Sequence, residues 1–209
     1  RAVGGLFVLD CIASGALWLD MRSLSVDVLL SAPQKGWSGT PCAGLVMLGE
    51  RALERVEQTT SDSFAVDLRR WLGITRAYEA GGHAYHATLP TDGLVAFHAA
   101  MIETRAFGFS RARAAQIELG ARVRAALEDA GFPSVAAPGF QAPGVVVSYT
   151  SDPAIHTGAA FQARGLQIAK GVPLACDEPQ GFQTFRVGLF GLDKLADVDG
   201  AVARFIQAL

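Results

Sequence analysis

The chain has 209 residues, of which 50% are hydrophobic and 18% are charged, with a mean hydropathy of +0.27. These values exclude a disordered chain and allow one large domain or two small ones. Eighteen Lys and Arg against twenty Asp and Glu give a net charge of -2, so the composition does not indicate a surface for nucleic acid or an anionic membrane. We therefore expect a cytoplasmic protein whose partner is a small molecule.

The sequence indicates neither a membrane span nor a disulfide framework. Its most apolar stretch, residues 4–19, is interrupted by Asp10 and is too short to cross a bilayer. The three cysteines are an odd number at wide spacing, which is typical of reduced thiols. No metal site is expected, because no carboxylate or cysteine completes a ligand set with His83 and His86.

The predicted elements begin with three short apolar strands. Residues 5–9 form an uninterrupted apolar run, typical of a strand buried on both faces of a parallel sheet. Further strands are predicted at 26–30 and 42–48, between segments rich in Gly and Pro. A parallel strand needs neighbours reached through crossover segments, and none fits before residue 5. We therefore expect residues to be missing before the first one given, because either the native protein is longer or this chain is a fragment.

Helices are predicted from the middle of the chain onward, and a break at Gly108 divides them. We place a domain boundary at this break, which gives segments 1–107 and 108–209. Helices are predicted from residue 49, at 67–80, 90–106, 110–130, 154–164 and 197–209, and further strands at 144–150, 166–169 and 184–189. The order of elements indicates an α/β fold.

Asp10 and Lys35 are the side chains that most clearly indicate chemistry. Asp10 ends the first strand, where a parallel sheet presents its ligand-binding edge; the alternative is a helix cap or a turn residue. Lys35 lies in a loop of small and turn-forming residues after a later strand, so it is a candidate for the desolvated amine that Schiff-base chemistry requires. The alternative is an exposed turn lysine.

Eight motifs occur along the chain: Leu9-Asp10-Cys11-Ile12-Ala13-Ser14, Leu19-Asp20-Met21, Val26-Asp27-Val28, Ser31 to Lys35, Pro41 to Val46, Phe64 to Leu72, Ala84 to Pro90 and Phe185 to Gly191. Together they resemble the class V, fold-type I pyridoxal-phosphate aminotransferases, in particular the alanine–glyoxylate and serine–glyoxylate group. The resemblance covers essentially the whole chain. It implies the C-terminal part of that fold: the remainder of a mainly parallel-sheet large domain followed by a smaller α+β domain.

The resemblance implies pyridoxal 5'-phosphate as the cofactor and assigns four residues to it. Lys35 would form the Schiff base and later move a proton at the α-carbon of the amino acid. Asp10 would keep the pyridine nitrogen protonated, which makes the ring an effective electron sink. Ile12, on the same strand face, would pack against the ring, and Gln34 would bind the phosphate.

Three further residues are assigned by the same resemblance. Tyr85 and Thr88 match the pair that reaches the phosphate of a neighbouring subunit, which implies a homodimer with shared active sites. Arg186 matches the arginine that clamps the substrate carboxylate, since its planar fork binds carboxylates bidentately. The alternative for Arg186 is an ion pair with an acidic neighbour on a sheet edge. The implied reaction moves an amino group from alanine or serine to glyoxylate or pyruvate.

The chain departs from the family at one position, and the sequence is compatible with two alternative functions. Pro33 stands where the family usually has serine or another small residue, so a hydrogen-bond donor near the cofactor is lost. A lyase or desulfurase with the same cofactor is the first alternative, with Cys176 as the sulfur acceptor; Gln34 in place of the desulfurase histidine speaks against it. The second alternative is a catalytically silent fragment that dimerises.

Overall fold

The computed structural model describes residues 3–209 and shows two three-stranded sheets with helices between and around them. The first sheet has the order β1-β2-β3, formed by Val8–Asp10, Val28–Ser31 and Leu45–Leu48. Strands β1 and β2 run parallel, as predicted, whereas β3 is antiparallel to β2. No helix lies between β2 and β3, and a parallel pairing would require a crossover of that kind.

The first sheet is less buried than its apolar sequence predicts. Val8 is 53% exposed and Met47 is 37% exposed, although both lie within apolar runs. The buried residues here form a small cluster of Cys11, Val26 and Leu29. Within residues 3–209 the edge strands β1 and β3 each have one neighbouring strand, so only β2 is paired on both sides.

A partly buried ion pair connects the start of this sheet to the first helix. Asp27 is 4% exposed, and its Oδ2 accepts hydrogen bonds from the backbone N–H of Phe7 at 2.8 Å and from Arg51 Nη1 at 2.9 Å. Arg51 also donates to the carbonyl of Gly5. One carboxylate therefore ties together the segments that enter β1, β2 and helix α1, which spans Glu50–Gln58.

Replacing Asp27 by asparagine is expected to destabilise the chain by about 2 kcal/mol, because the negative charge that strengthens its hydrogen bonds to Phe7 and Arg51 is lost. The free energy of unfolding in urea measures this. Glu54→Gln, at an exposed position on the same helix, is the matched control and should change stability by less than about 0.5 kcal/mol. Equal losses in both variants would contradict the structural role of Asp27.

Gly108 separates the two longest helices. Its φ of 100° lies in a region that favours glycine, and the chain changes direction there. The domain boundary placed at this position remains a prediction. The helices from the first sheet to the second are α1, then α2 (Leu68–Glu79), α3 (Thr91–Phe107) and α4 (Phe109–Asp129).

The second sheet is antiparallel and has the order β4-β6-β5, formed by Val145–Tyr149, Thr184–Gly188 and Ala169–Lys170. The predicted helix 154–164 is split by Gly158, whose φ of 83° cannot continue a helix. The short helix after β6 was not predicted. The remaining helices are α5 (Pro153–Thr157), α6 (Ala159–Gln162), α7 (Leu192–Ala196) and α8 (Val198–Ala208).

The main hydrophobic core lies between the second sheet and the helices α4 and α8. Helix α4 presents Leu119, Val123 and Leu127, which are at most 1% exposed, to the buried face of the sheet. Phe185 of β6 is fully buried there. Of the helices within residues 3–209, none is both long and apolar enough to cross a membrane.

Candidate active site

The loops that follow β1 and β2 meet at one edge of the first sheet. Asp10 is the last residue of β1 and pairs in register with Leu30 of β2. Because these strands are parallel, their carboxyl ends lie at the same edge, and Lys35 follows the end of β2 within one short turn. The two loops touch directly: a Cβ added to Gly36 would lie 2.0 Å from the carbonyl oxygen of Gly15. The glycine after Lys35 thus allows the approach.

Replacing Gly36 by alanine is expected to destabilise the chain by about 2 to 3 kcal/mol, since the new methyl group overlaps the backbone of Gly15 and forces the two loops apart. The free energy of unfolding in urea measures this. Gly44→Ala is the matched control, because a Cβ there meets no atom within 4 Å. If both variants unfold at the same urea concentration, the close approach of the loops is wrong.

Asp10 is exposed, and only one of its two carboxylate oxygens takes part in the turn that it starts. Its Oδ1 accepts a hydrogen bond from the backbone N–H of Ile12 at 2.9 Å, so the alternative of a turn residue accounts for this oxygen alone. Its Oδ2 has no hydrogen bond to a residue between 3 and 209. The expectation that Ile12 shares the strand face with Asp10 is wrong: β1 ends at Asp10, and Ile12 lies in the following turn with 37% exposure.

Lys35 is half-buried, and its ammonium lies over an aromatic ring from the distant end of the chain. The Nζ atom is 5.1 Å from the centroid of Phe190, which follows β6. A second contact comes from the same segment, where the N–H of Leu192 donates to Ser38 Oγ at 2.7 Å. The Lys35 turn is therefore held by the loop after β1 on one side and by residues after β6 on another. Gln34 is exposed beside it.

An aromatic cluster packs against the Lys35 turn through Trp37. Trp37 packs on Trp18 with ring centroids 4.7 Å apart, and both contact Phe109 at the start of α4. Phe97 of α3 completes the cluster at 6.2 Å from Trp37. Sequence reasoning did not assign these residues to the site, although Trp37 follows the lysine by two positions.

Gln116 is a further residue that the sequence analysis missed. It is 1% exposed on α4, and its Nε2 donates to the carbonyls of Pro143 and Leu189 at 3.1 and 3.2 Å. Its Oε1 lies 2.8 Å from the position that a Cβ on Gly15 would take. This side chain therefore joins the second sheet to the loop after Asp10. The sequence signal that could have identified Gln116 is a polar residue on the apolar face of an amphipathic helix.

Arg186 lies on β6, the middle strand of the second sheet, and is half-buried. Its Nε donates to the carbonyl of Lys170 at 3.0 Å, which orients the side chain. No carboxylate within residues 3–209 lies within 4.0 Å of it, so the alternative of an ion pair on a sheet edge does not apply. Its two terminal nitrogens make no hydrogen bond to the described part of the chain and can bind an anionic group.

Tyr85 and Thr88 form a separate exposed pair in the loop between α2 and α3. The Tyr85 hydroxyl lies 3.4 Å from Thr88 Oγ1, and Tyr85 is 74% exposed. Neither side chain has a hydrogen bond or ring contact with the Asp10 or Lys35 loops among residues 3–209. The structure thus brings Asp10 and Lys35 to one sheet edge but leaves this pair on the surface.

Cys176 lies in the exposed segment between β5 and β6. The neighbouring Glu178 carboxylate accepts backbone N–H groups in this segment, among them those of Ala175 and Cys176 at 2.6 and 3.0 Å. These bonds, with that from its own backbone as the largest contribution, lower the pKa of Glu178 below its usual range. The Cys176 thiol is exposed.

Known proteins with similar sequence or structure include several transaminases. No protein-family model matches the chain. The 2-aminoethylphosphonate–pyruvate transaminase 2 of Paraburkholderia xenovorans is 31% identical over 209 residues, covering 99% of this chain and 54% of that protein. An alanine–glyoxylate aminotransferase from a Nostoc species has a TM-score of 0.80 at 21% identity, covering 100% of this chain and 55% of that one.

A third similar protein is an aspartate aminotransferase of subgroup IV from Thermus thermophilus. Its TM-score is 0.74 at 25% identity, covering 97% of this chain and 55% of that chain. The chain thus spans about half the length of the relatives that it matches. In these relatives the matching region is the C-terminal part.

Proposed function

We propose that this chain, which has the fold and the sequence features of the C-terminal part of a class V, fold-type I aminotransferase, acts as that part of a pyridoxal-phosphate-dependent transaminase. The observation that supports this most is the pairing of Asp10 and Lys35 at the ends of adjacent parallel strands, with their loops in backbone contact. A carboxylate and a lysine at one sheet edge are the two groups that this chemistry needs.

The residues present fit the cofactor. When bound, pyridoxal phosphate supplies the electron sink for charge that develops at the substrate α-carbon. Lys35 Nζ is the group that would hold the cofactor covalently and move a proton at that carbon. Asp10 keeps one carboxylate oxygen without a described partner and can accept the pyridinium N–H. Ile12 would contact the ring, and the exposed Gln34 amide would donate to the phosphate.

Arg186 would bind the acidic group of the substrate through its terminal nitrogens. Its fork matches a carboxylate bidentately, and it matches a phosphonate in the same way. The proposed acceptor is a small 2-oxo acid, pyruvate or glyoxylate, in keeping with the names of the relatives. The proposed donor is a small amine with an acidic group: alanine, serine or 2-aminoethylphosphonate.

We further propose a homodimer in which Tyr85 and Thr88 serve the active site of the second subunit. Their exposure, and their separation from the Lys35 turn in the single chain, support this arrangement. Both side chains carry a hydroxyl that can donate to a phosphate oxygen.

The visible absorption spectrum of the purified protein with pyridoxal phosphate tests the proposal. We expect a yellow band that bleaches on addition of a donor amine and returns with glyoxylate or pyruvate. The same titration ranks alanine, serine and 2-aminoethylphosphonate as donors. Release of sulfide or ammonia without an acceptor would instead favour the lyase or desulfurase alternative, with Cys176 as the thiol. A protein that dimerises but forms no band would support the silent alternative.

A further inference from the structure

A cavity lies in the C-terminal half of the chain, apart from the residues assigned to transamination. Its volume is about 400 Å³, and it opens between α4, α8 and the end of β6. Apolar side chains contribute to its lining: Leu166 and Ile168 are half-buried there, and Val123, Leu189 and Phe205 lie buried beneath them. Asp10, Lys35 and Arg186 do not line it. Its size is that of a site for a small organic ligand.

The rim of this cavity carries more positive than negative charge. Arg164, Lys194 and Arg204 line it with one carboxylate, that of Asp193. Lys194 Nζ is 3.3 Å from Asp193, and Arg204 Nη1 is 3.9 Å from Asp197, which is too long for a hydrogen bond. Both cations therefore keep donors for a further partner.

Arg164 is fixed by backbone rather than by an acidic side chain. Its Nη1 donates to the carbonyls of Ala208 and Leu209 at 3.2 and 2.6 Å, at the end of α8. These two oxygens orient the guanidinium at the rim and occupy its Nη1, so Lys194 and Arg204 are the cations that keep donors for a ligand at the mouth.

The backbone contributes an unused donor at the same place. Strand β5 pairs with β6 only as far as Ala169, which is opposite Arg186, so Gly188 lies beyond the end of β5. The N–H of Leu189 points toward β4, where it donates to the carbonyl of Gly144. Successive residues of a strand direct their N–H groups to opposite sides. The N–H of Gly188 therefore points to the side that β5 leaves open, and it has no hydrogen bond within residues 3–209.

We infer that this cavity binds a small carboxylic acid with an apolar tail. The tail would lie against the half-buried side chains of Leu166 and Ile168, and burial of its methylene groups would drive binding. The carboxylate would remain at the rim, where Arg204 and Lys194 supply opposite charge. This site is independent of the proposed transaminase function, because it shares no residue with it.

Calorimetric titration of the purified chain with octanoate tests the inference, with octanol and acetate as probes that each lack one half of the ligand. We expect saturable binding of octanoate and weaker binding of both controls. Arg204→Gln should weaken octanoate binding about fivefold, since it removes one exposed charge contact. The matched control is Arg113→Gln on the exposed face of α4, which changes net charge equally and should leave binding unchanged.

Arg186→Gln distinguishes this cavity from the substrate site, where a carboxylate would also bind. Octanoate binding that survives Arg186→Gln and weakens with Arg204→Gln supports the inference. Loss of binding with Arg186→Gln alone would overturn it, as would the absence of saturable binding or an equal effect of the Arg204 and Arg113 substitutions. Octanol binding as strong as octanoate binding would also overturn it, because the cationic rim would then contribute nothing.

Discussion

Replacing Lys35 by alanine is expected to lower transaminase turnover by about a thousandfold or more, because the group that holds the cofactor and moves the proton is removed. The free energy of unfolding should change little, since the half-buried side chain gives up a single ring contact with Phe190. Turnover with each donor and acceptor, followed together with urea unfolding, measures both effects.

Lys170→Ala is the matched control for this substitution. Lys170 is an exposed lysine on β5, and its contact with Arg186 uses only the backbone carbonyl, which alanine keeps. Borohydride reduction in the presence of pyridoxal phosphate, followed by peptide mass spectrometry, should label the Lys35 peptide in the parent chain and in Lys170→Ala. If Lys35→Ala turns over as fast as Lys170→Ala, the role proposed for Lys35 is wrong.

Replacing Arg186 by glutamine is expected to raise the KM for the 2-oxo acid about 10- to 100-fold, through the loss of charge-assisted hydrogen bonds to the substrate. Because Arg186 has no acidic partner in the described chain, its removal leaves no buried carboxylate without a partner. The free energy of unfolding should therefore be nearly unchanged. Affinity for pyridoxal phosphate, followed by the visible band, should also stay close to that of the parent chain.

The Arg113→Gln variant again serves as the control for the loss of one positive charge. It should leave the KM, the cofactor affinity and the unfolding free energy unchanged. An unchanged KM in Arg186→Gln would refute its assignment to the substrate. A fall in cofactor affinity equal to the rise in KM would show instead that Arg186 acts on the cofactor site.

Much of the architecture follows from local sequence patterns. The apolar runs predicted β1 and β2, and the apolar periodicity predicted α2 to α4 within a residue or two of their ends. The direction of β3 could not be predicted, because an apolar run does not record which way its strand pairs. The short helix α7 was missed since five residues carry too little periodicity.

The candidate site was predictable only in part. Asp10 and Lys35 could be singled out because the first ends a strand and the second follows one, and the carboxyl ends of parallel strands meet at one edge. The role of Arg186 came from family resemblance, since nothing local distinguishes it from other arginines. The contact between Lys35 and Phe190 joins residues far apart in sequence, and only the tertiary structure reveals it.

The segment after β6 links the two halves of the candidate site mechanically. Phe190 lies under the Lys35 ammonium, and the N–H of Leu192 is bonded to Ser38 on the same turn. Arg186 lies on the strand that leads directly into this segment. A displacement of β6 along its own axis would therefore shift the ring beneath the lysine and pull on the turn that carries it. If Arg186 binds the substrate as proposed, its position and that of the Lys35 amine are therefore connected through this one segment.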